Sequence, residues 1–300
     1  MNLTDETFLL THKNCMDGST CAVLWKRYVN ENIVFSPPSH EDVDEALLGL
    51  LETTDSNVVL ADVSISLELA SRVEKQYADR VKLLDHHATA IPLNNFSWCE
   101  IEVKNNRSGG MMLFDFLKDM GYSVSETQFL VIIADDHDRW IKNYKAEADT
   151  LMTLHKFYGQ ELFVKRFSKN PSTRLSNTES TLADILQKKQ RDFVLNKLKT
   201  VEVKSMKVQG HRVNFGLVYA GTHQSELGNA ICEDLELDVD IAMIVSAQGM
   251  SFRSHKDCPV DLGQMTQLNG GGGHKNAAGC SVGKVLKLDL AEMLMERLKV

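Results

Sequence analysis

Along the first half of the chain, short apolar runs alternate with segments whose apolar residues recur at helical spacing. "TFLLTH" (7–12), "NIVFSP" (32–37), "NVVLADVS" (57–64) and "VKLLDHH" (81–87) have the length and content of strands. Between them, "STCAVLWKRYVN" (19–30), "HEDVDEALLGLLE" (40–52) and "SLELASRVEKQY" (66–77) carry the 3.6-residue period of amphipathic helices. This alternation predicts an α/β fold with a parallel sheet covered by helices on both faces. Helices continue to about residue 168, among them "SGGMMLFDFLKDMG" and "ETQFLVIIADD".

The pattern breaks at "SKNPSTRLSNTES" (168–180), a polar, proline-containing stretch that marks a boundary. The segment "TLADILQKKQRDFVLNKLKTVEV" (181–203) then has the composition of a connecting helix. A new strand, "RVNFGLVYA" (212–220), and a helix, "SELGNAICEDL" (225–235), follow. "DIAMIVSA" and "MSFRS" pair as a hairpin through Gln248-Gly249. The expected layout is a parallel-sheet domain over 1–175, a linker helix over 176–205 and a smaller α/β domain over 206–300.

Composition narrows the function. With 43% apolar and 25% charged residues, the chain matches an ordinary soluble protein of two cores. No apolar run approaches the roughly 18 residues of a membrane span, and "MNLTDETFLL" lacks a signal-peptide pattern. Cysteines 15, 21, 99, 232, 258 and 280 form no C-x-x-C pair, so neither a disulfide framework nor a thiolate zinc site is expected, and a reducing cytoplasm is the simplest home. A net charge of −8 without a Lys/Arg run is unsuited to gripping long nucleic acid, which requires many phosphates to be neutralised. A small phosphate-bearing substrate held by a few local groups fits better.

Ligands of parallel α/β sheets bind beyond the carboxyl ends of the strands. His12 and Asp17 follow the first strand, Asp62 ends the third, and Asp85, His86 and His87 end the fourth. Asp135, Asp136 and Asp138 close the apolar segment "FLVII". Each has an ordinary reading alone: Asp62 as a helix N-cap, "DHH" as a surface loop, "ADDHDRW" as a solvated helix end. Their joint occurrence is what favours a metal centre. Carboxylate and imidazole donors suit Mn²⁺, and a carboxylate shared by two ions about 3.5–4 Å apart suits phosphoryl chemistry. Alternation along an extended chain predicts that His86 faces the metal while His87 faces substrate as phosphate contact or proton donor. Asp85 then fixes a ring tautomer.

A second constellation is "LNGGGGHKNAAGC" (268–280). Consecutive glycines let backbone N–H groups converge on an anion, and His274 follows directly. It is not a P-loop, since Asn276 rather than Ser or Thr follows Lys275. A substrate-binding loop is favoured over a flexible linker. Arg253 is a candidate phosphate fork or an ordinary strand arginine, and Arg107 in "NNRSGG" is a second candidate of that kind.

"DHH" at 85–87, Asp62, and "GGGHKNAAG" at 271–279 together resemble the DHH/DHHA1 phosphoesterases. The resemblance implies an N-terminal DHH domain holding two Mn²⁺ ions, with Mg²⁺ or Co²⁺ as substitutes, and a DHHA1 domain with a mixed sheet that binds substrate. By position, His12, Asp17, Asp62, His86 and one acid of the 135–138 cluster match metal ligands, with Asp136 chosen and Asp135 and Asp138 left open; His87 and Asp85 are the catalytic candidates. Arg253, Gly271, Gly272, Gly273 and His274 match substrate contacts. One departure stands out: the common first motif has aspartates four and six residues after the histidine, where this chain has Met16 and Gly18 flanking Asp17. "HKNCMDG" is similar to a less common H-x-x-C-x-D-G version, which implies fewer protein ligands for one ion, with water, Asn14 or substrate completing its shell. The family includes nanoRNases, bisphosphonucleoside phosphatases, cyclic-dinucleotide phosphodiesterases and single-strand exonucleases. The acidic balance and the lack of an extra OB-like domain point to a phosphodiesterase of linear dinucleotides (pGpG type) or very short oligonucleotides. The alternatives are a pAp-type phosphatase, a cyclic-dinucleotide phosphodiesterase and a catalytically impaired nucleotide-binding regulator. A homodimer stays open.

Overall fold

The computed structural model describes residues 3–37, 39–102, 104, 106–267 and 271–281, in two compact units that divide between Asp184 and Ile185. The first unit runs β1 (Phe8–His12), α1 (Met16–Tyr28), β2 (Ile33–Ser36), α2 (His40–Thr53), β3 (Val58–Ala61), α3 (Leu67–Gln76), β4 (Val81–Asp85), β5 (Cys99–Ile101), α4 (Gly109–Asp119), α5 (Gln128–Asp138) and α6 (Lys145–Lys169). Helix α7 (Asn177–Leu198) follows and contains the division. The strands pair in the order β2-β1-β3-β4-β5, all parallel.

Why the strands are apolar throughout follows from the pleat. Leu10, Val58, Leu60 and Leu83 point to the face covered by α2 and α3; Leu9, Val59, Ala61 and Leu84 point to the face covered by α1 and α4. Both faces are sealed, and each fully buried leucine contributes on the order of 1.5–3 kcal/mol. Helices α5 and α6 add a further layer on α1 through Ile133, Ala134, Leu151, Phe163 and Phe167. Among the described residues no helix is long and apolar enough to cross a membrane.

The second unit contains β6 (Glu202–Val208), β7 (His211–Tyr219), α8 (Gln224–Glu233), β8 (Ile241–Val245), β9 (Gly249–Ser254), α9 (Leu262–Gln267), β10 (Gly272–His274) and β11 (Ala277–Ser281). Its six-stranded sheet has the order β10-β11-β9-β8-β7-β6. Among the described residues β7 and β8 pair in parallel and the other neighbours antiparallel, so the sheet is mixed. Two expectations shift here. The helix expected to 205 ends at Leu198, and β6 begins at Glu202; its side chains are almost all exposed, so no buried face gives it a period. The β8–β9 connection centres on Ala247 and Gln248, because Ser246 N donates to the Gly249 carbonyl and Gly249 already belongs to β9.

Helix α7 starts at a capping box. Glu179 N donates to Ser176 Oγ (3.2 Å), while Ser176 N donates back to Glu179 Oε2 (2.8 Å). Arg166 Nε donates to the same carboxylate (2.9 Å), tying α6 to α7 and holding the Glu179 carboxyl down at about 2. A depressed acid stabilises the fold above its unfolded value of 4.5 and loses that contribution as pH falls through about 2. Glu179→Gln, which keeps the box but not the charge, is therefore expected to lower the melting temperature at neutral pH. The gap to wild type should close on acidification from about 4.5 to 2, and a gap unchanged over that window would show that the pair contributes no charge-dependent stability.

Candidate metal centre

Chain order reverses between β1 and β3, and the polar residues gather there. His12 is the last residue of β1 and Asp62 the first after β3. Asp62 adopts a left-handed conformation (φ 62°) that turns its side chain back over the strand ends. It is 1% exposed, with Oδ2 3.5 Å from His12 Nδ1 and Oδ1 3.4 Å from His86 Nε2. One carboxylate thus faces two different imidazoles with opposite oxygens. Helix α4 supplies the room, since a Cβ on Gly109 would lie 2.6 Å from the Asp62 Cβ and 2.7 Å from its Cα.

His86 Nε2 also lies 3.2 Å from Asp138 Oδ2. Asp17, buried in the first turn of α1, accepts from Ser108 Oγ and Gly110 N, each at 2.8 Å. Three sets of donors emerge, each within 4.8 Å: His12, Cys15 and Asp62; Asp17, His86 and Asp138; and Asp62, Asp85, His86 and His87. Among the described residues, His12 Nδ1, Asp62 Oδ2 and His86 Nε2 are buried without a hydrogen-bond partner. Buried polar atoms are almost always paired, so three that converge unpaired are a set that a divalent ion would satisfy.

The electrostatics agree. Burial, then the charges of Asp62 and Asp138, push the Asp17 carboxyl well above its usual range, and burial with Asp62 pushes Asp138 up to about 6. Burial opposes ionisation of Asp62, but the His12 and His86 rings outweigh it and hold its carboxyl below the usual range. Against the opposing effect of burial, the neighbouring Asp62 and Asp138 carboxylates push His86 up to about 9. Protons here occupy donors that a cation would compete for.

Asp85 is fully buried and accepts from His86 N (2.9 Å), His87 N (3.4 Å) and the His87 ring at Nδ1 (2.7 Å). This orients the imidazole with Nδ1 held, leaving Nε2 as its outward atom, and pushes His87 up to about 10 despite burial. The alternation argument for the histidine pair fails: the two rings lie 4.6 Å apart between centroids. Strand β4 ends at Asp85, and His87 already caps a 3₁₀ segment (Ala88–Asn95), so the strand's geometry does not extend to either ring.

Other expectations resolve differently. The acids at 135–138 sit at the end of helix α5, on the helix expected for that segment. Residues two apart on a helix are separated by about 200°, so Asp136 and Asp138 cannot face one site. Asp136 instead accepts from Asn143 N (2.9 Å) and Tyr144 N (3.1 Å), shaping the turn into α6, and Asp135 accepts from Ser108 N (2.6 Å) and Arg139 (2.8 Å). Arg107 is held by Glu100 (2.9 Å), Glu102 (3.4 Å) and Asp115 (3.1 Å), a structural knot rather than a phosphate fork. The residues missed from sequence are Cys15, whose signal was its position in H-x-x-C-x-D, and Gln160. Gln160 Nε2 donates to the His12 carbonyl (3.1 Å) and Ser19 Oγ (3.0 Å), and its Oε1 accepts from Asn14 N (3.0 Å). It follows Gly159, where α6 breaks (φ 71°, ψ 166°).

In the second unit, the glycine segment is extended rather than a nest: Gly272, Gly273 and His274 pair with Gly279, Ala278 and Ala277. Gly273 has φ 142°, and a Cβ there would lie 2.5 Å from the Ala277 carbonyl oxygen, which only glycine escapes. Gly271 N donates to the Thr266 carbonyl (3.0 Å). Residues 268–270 of the motif lie outside the described residues. Arg253 lies on β9 beside Ala277; its Nη1 donates to the Phe252 carbonyl and its Nη2 to Ser225 Oγ, both at 2.7 Å.

Comparison with known proteins agrees with this architecture. No family model matches the sequence. The chain is 26% identical over 300 residues to oligoribonuclease NrnB of Bacillus subtilis (strain 168), covering 93% of this chain and 74% of that one. The solved DHH domain of a member of a ribosomal-protein family superposes with a TM-score of 0.60 at 14% identity, covering 97% and 86% of the two chains. The chain shares the fold of that DHH domain. The pGpG-specific phosphodiesterase PggH from Vibrio gives 0.55 at 13% identity over 97% and 99% of the chains. The manganese complex of RecJ from Thermus thermophilus gives 0.53 at 14% over 94% of this chain and 50% of that one.

In a DHH fold the third letter of the motif is thus oriented by the first. With ion-free protein, Asp85→Asn is expected to drop the His87 titration midpoint from about 10 toward 6.5, read from its imidazole NMR shifts. An unchanged midpoint would mean that Asp85 does not hold the ring.

Proposed function

We propose that the chain is a metal-dependent phosphodiesterase that hydrolyses linear dinucleotides of the pGpG type, or other very short oligonucleotides, to 5′-mononucleotides. The observation that carries this reading is the buried Asp62 carboxylate, whose two oxygens face His12 and His86 beside a His87 ring fixed by Asp85. The names of NrnB, an oligoribonuclease, and of PggH, a pGpG phosphodiesterase, support the substrate class. His12, Asp17, Asp62, His86 and Asp138 would hold the ions, with Mn²⁺ the first choice for an oxygen and nitrogen donor set. When bound, such ions supply positive charge to phosphate oxygens and acidify water.

His87 contributes what the protein itself controls. With Nδ1 anchored on Asp85, its outward Nε2 donates a proton to a phosphate oxygen or the departing 3′ oxygen.

Purified protein with Mn²⁺ is to be offered 5′-phosphorylated dinucleotides, a longer single-stranded RNA and a 3′,5′-bisphosphonucleoside side by side. Mononucleotides are expected chiefly from the dinucleotides, with none from Asp62→Ala. His87→Ala should lower kcat about 10²–10⁴-fold, the usual contribution of a positioned acid. Orthophosphate released chiefly from the bisphosphonucleoside would reassign the protein as a phosphatase. Bound metal without turnover of any substrate would favour a nucleotide-binding regulator.

A further inference from the structure

We propose that Cys15 supplies a thiolate ligand on the His12–Asp62 side of the centre, so that this half of the site takes a borderline-soft divalent ion such as Zn²⁺ or Co²⁺ in preference to Mn²⁺. The inference rests on reading the cluster as a metal centre, and adds to it a ligand and an ion class.

Three observations converge. Cys15 Sγ, a His12 ring nitrogen and an Asp62 carboxylate oxygen lie within 4.8 Å of one another. Asp62 is 1% exposed, and its Oδ2 is buried without a hydrogen-bond partner, as is His12 Nδ1 beside it. Cysteine is also not a residue that its position favours. It is the N-cap of α1, where a Ser, Thr, Asp or Asn side chain would contribute about 1 kcal/mol by capping, and its own side chain makes no capping bond. Its carbonyl, not its sulfur, accepts from Ser19 N and Ser19 Oγ.

Donor chemistry then separates the two halves. One sulfur, one nitrogen and one oxygen form a mixed set of the type that holds Zn²⁺. Asp17, His86 and Asp138 offer two oxygens and a nitrogen, a harder set suited to Mn²⁺. The Asp62 carboxylate faces both, through Oδ2 toward His12 and Oδ1 toward His86. Cys21 does not compete: it is fully buried in the apolar core with Leu9 and Leu24.

The test is optical titration of full-length, ion-free protein with Co²⁺, comparing wild type, Cys15→Ser, Cys15→Asp and Asp62→Ala. Serine is a better N-cap than cysteine, so Cys15→Ser is expected to fold, checked by its circular dichroism and melting temperature. Wild type should develop a near-ultraviolet thiolate-to-Co²⁺ charge-transfer band that Cys15→Ser lacks. The Zn²⁺ affinity of Cys15→Ser should fall at least about 10-fold, the minimum seen when even an outer partner of a ligand is lost. Cys15→Asp should bind Co²⁺ without the band and shift competition between Zn²⁺ and Mn²⁺ toward Mn²⁺. If Co²⁺ binds wild type in an Asp62-dependent manner without a band, or the band survives in Cys15→Ser, the thiolate assignment falls and the metal centre stands. If wild type binds no ion, both fall.

Discussion

Asp62 leaves β3 in the left-handed region with its carboxylate withdrawn from solvent and its two oxygens turned toward different imidazoles. A buried carboxylate is costly unless it is paired, and a left-handed non-glycine residue adds strain, so the surrounding chain has to sustain both. It does so by close packing. Helix α4 begins so near Asp62 that a Cβ at Gly109 would meet its backbone nitrogen at 2.7 Å, and a Cβ at Gly110 would meet Asp17 Oδ1 at 2.6 Å. The "SGG" run that opens α4 is therefore part of the centre, although none of its side chains is a ligand. Ser108 completes it by donating to Asp17 and capping its own helix at Met111 N.

The topology of the first unit was readable because its strands are buried on both faces and its helices have one apolar stripe each. Where those physical signals weaken, so does the reading. β5 has three residues and β6 has almost no buried face, so neither carries a period. At the site, strand-end residues such as His12, Asp62 and His86 could be found from their place in the sheet topology. Separating Asp138 from Asp136 needed the contacts each makes: Asp138 Oδ2 lies 3.2 Å from His86 Nε2, while Asp136 accepts from Asn143 N and Tyr144 N. Arg107 was misread for a complementary reason: a guanidinium binds carboxylates as readily as phosphates, and the three acids around it come from 100, 102 and 115.

The glycines of the second unit raise the same distinction between a residue type and its use. Consecutive glycines suit an anion nest, but they equally suit two strands approaching more closely than side chains allow, and Gly273 against Ala277 and Ala278 is the second case. Arg253 likewise spends both terminal nitrogens within its own unit, on Phe252 and Ser225, while burial pushes its guanidinium down from its ordinary value.

The break in α6 at Gly159 matters beyond the helix it interrupts. It sets Gln160 against the turn that carries His12 and Asn14, and Ser19 passes the contact on to His155, a ring that burial pushes down to about 4. The loop that carries the first motif is thus latched from a point almost half the chain away. A fragment ending before α6 would retain the candidate ligands His12, Asp17, Asp62, His86 and Asp138 yet lose the clasp on the first loop. The motif is a local string of letters, but its working form belongs to the whole unit.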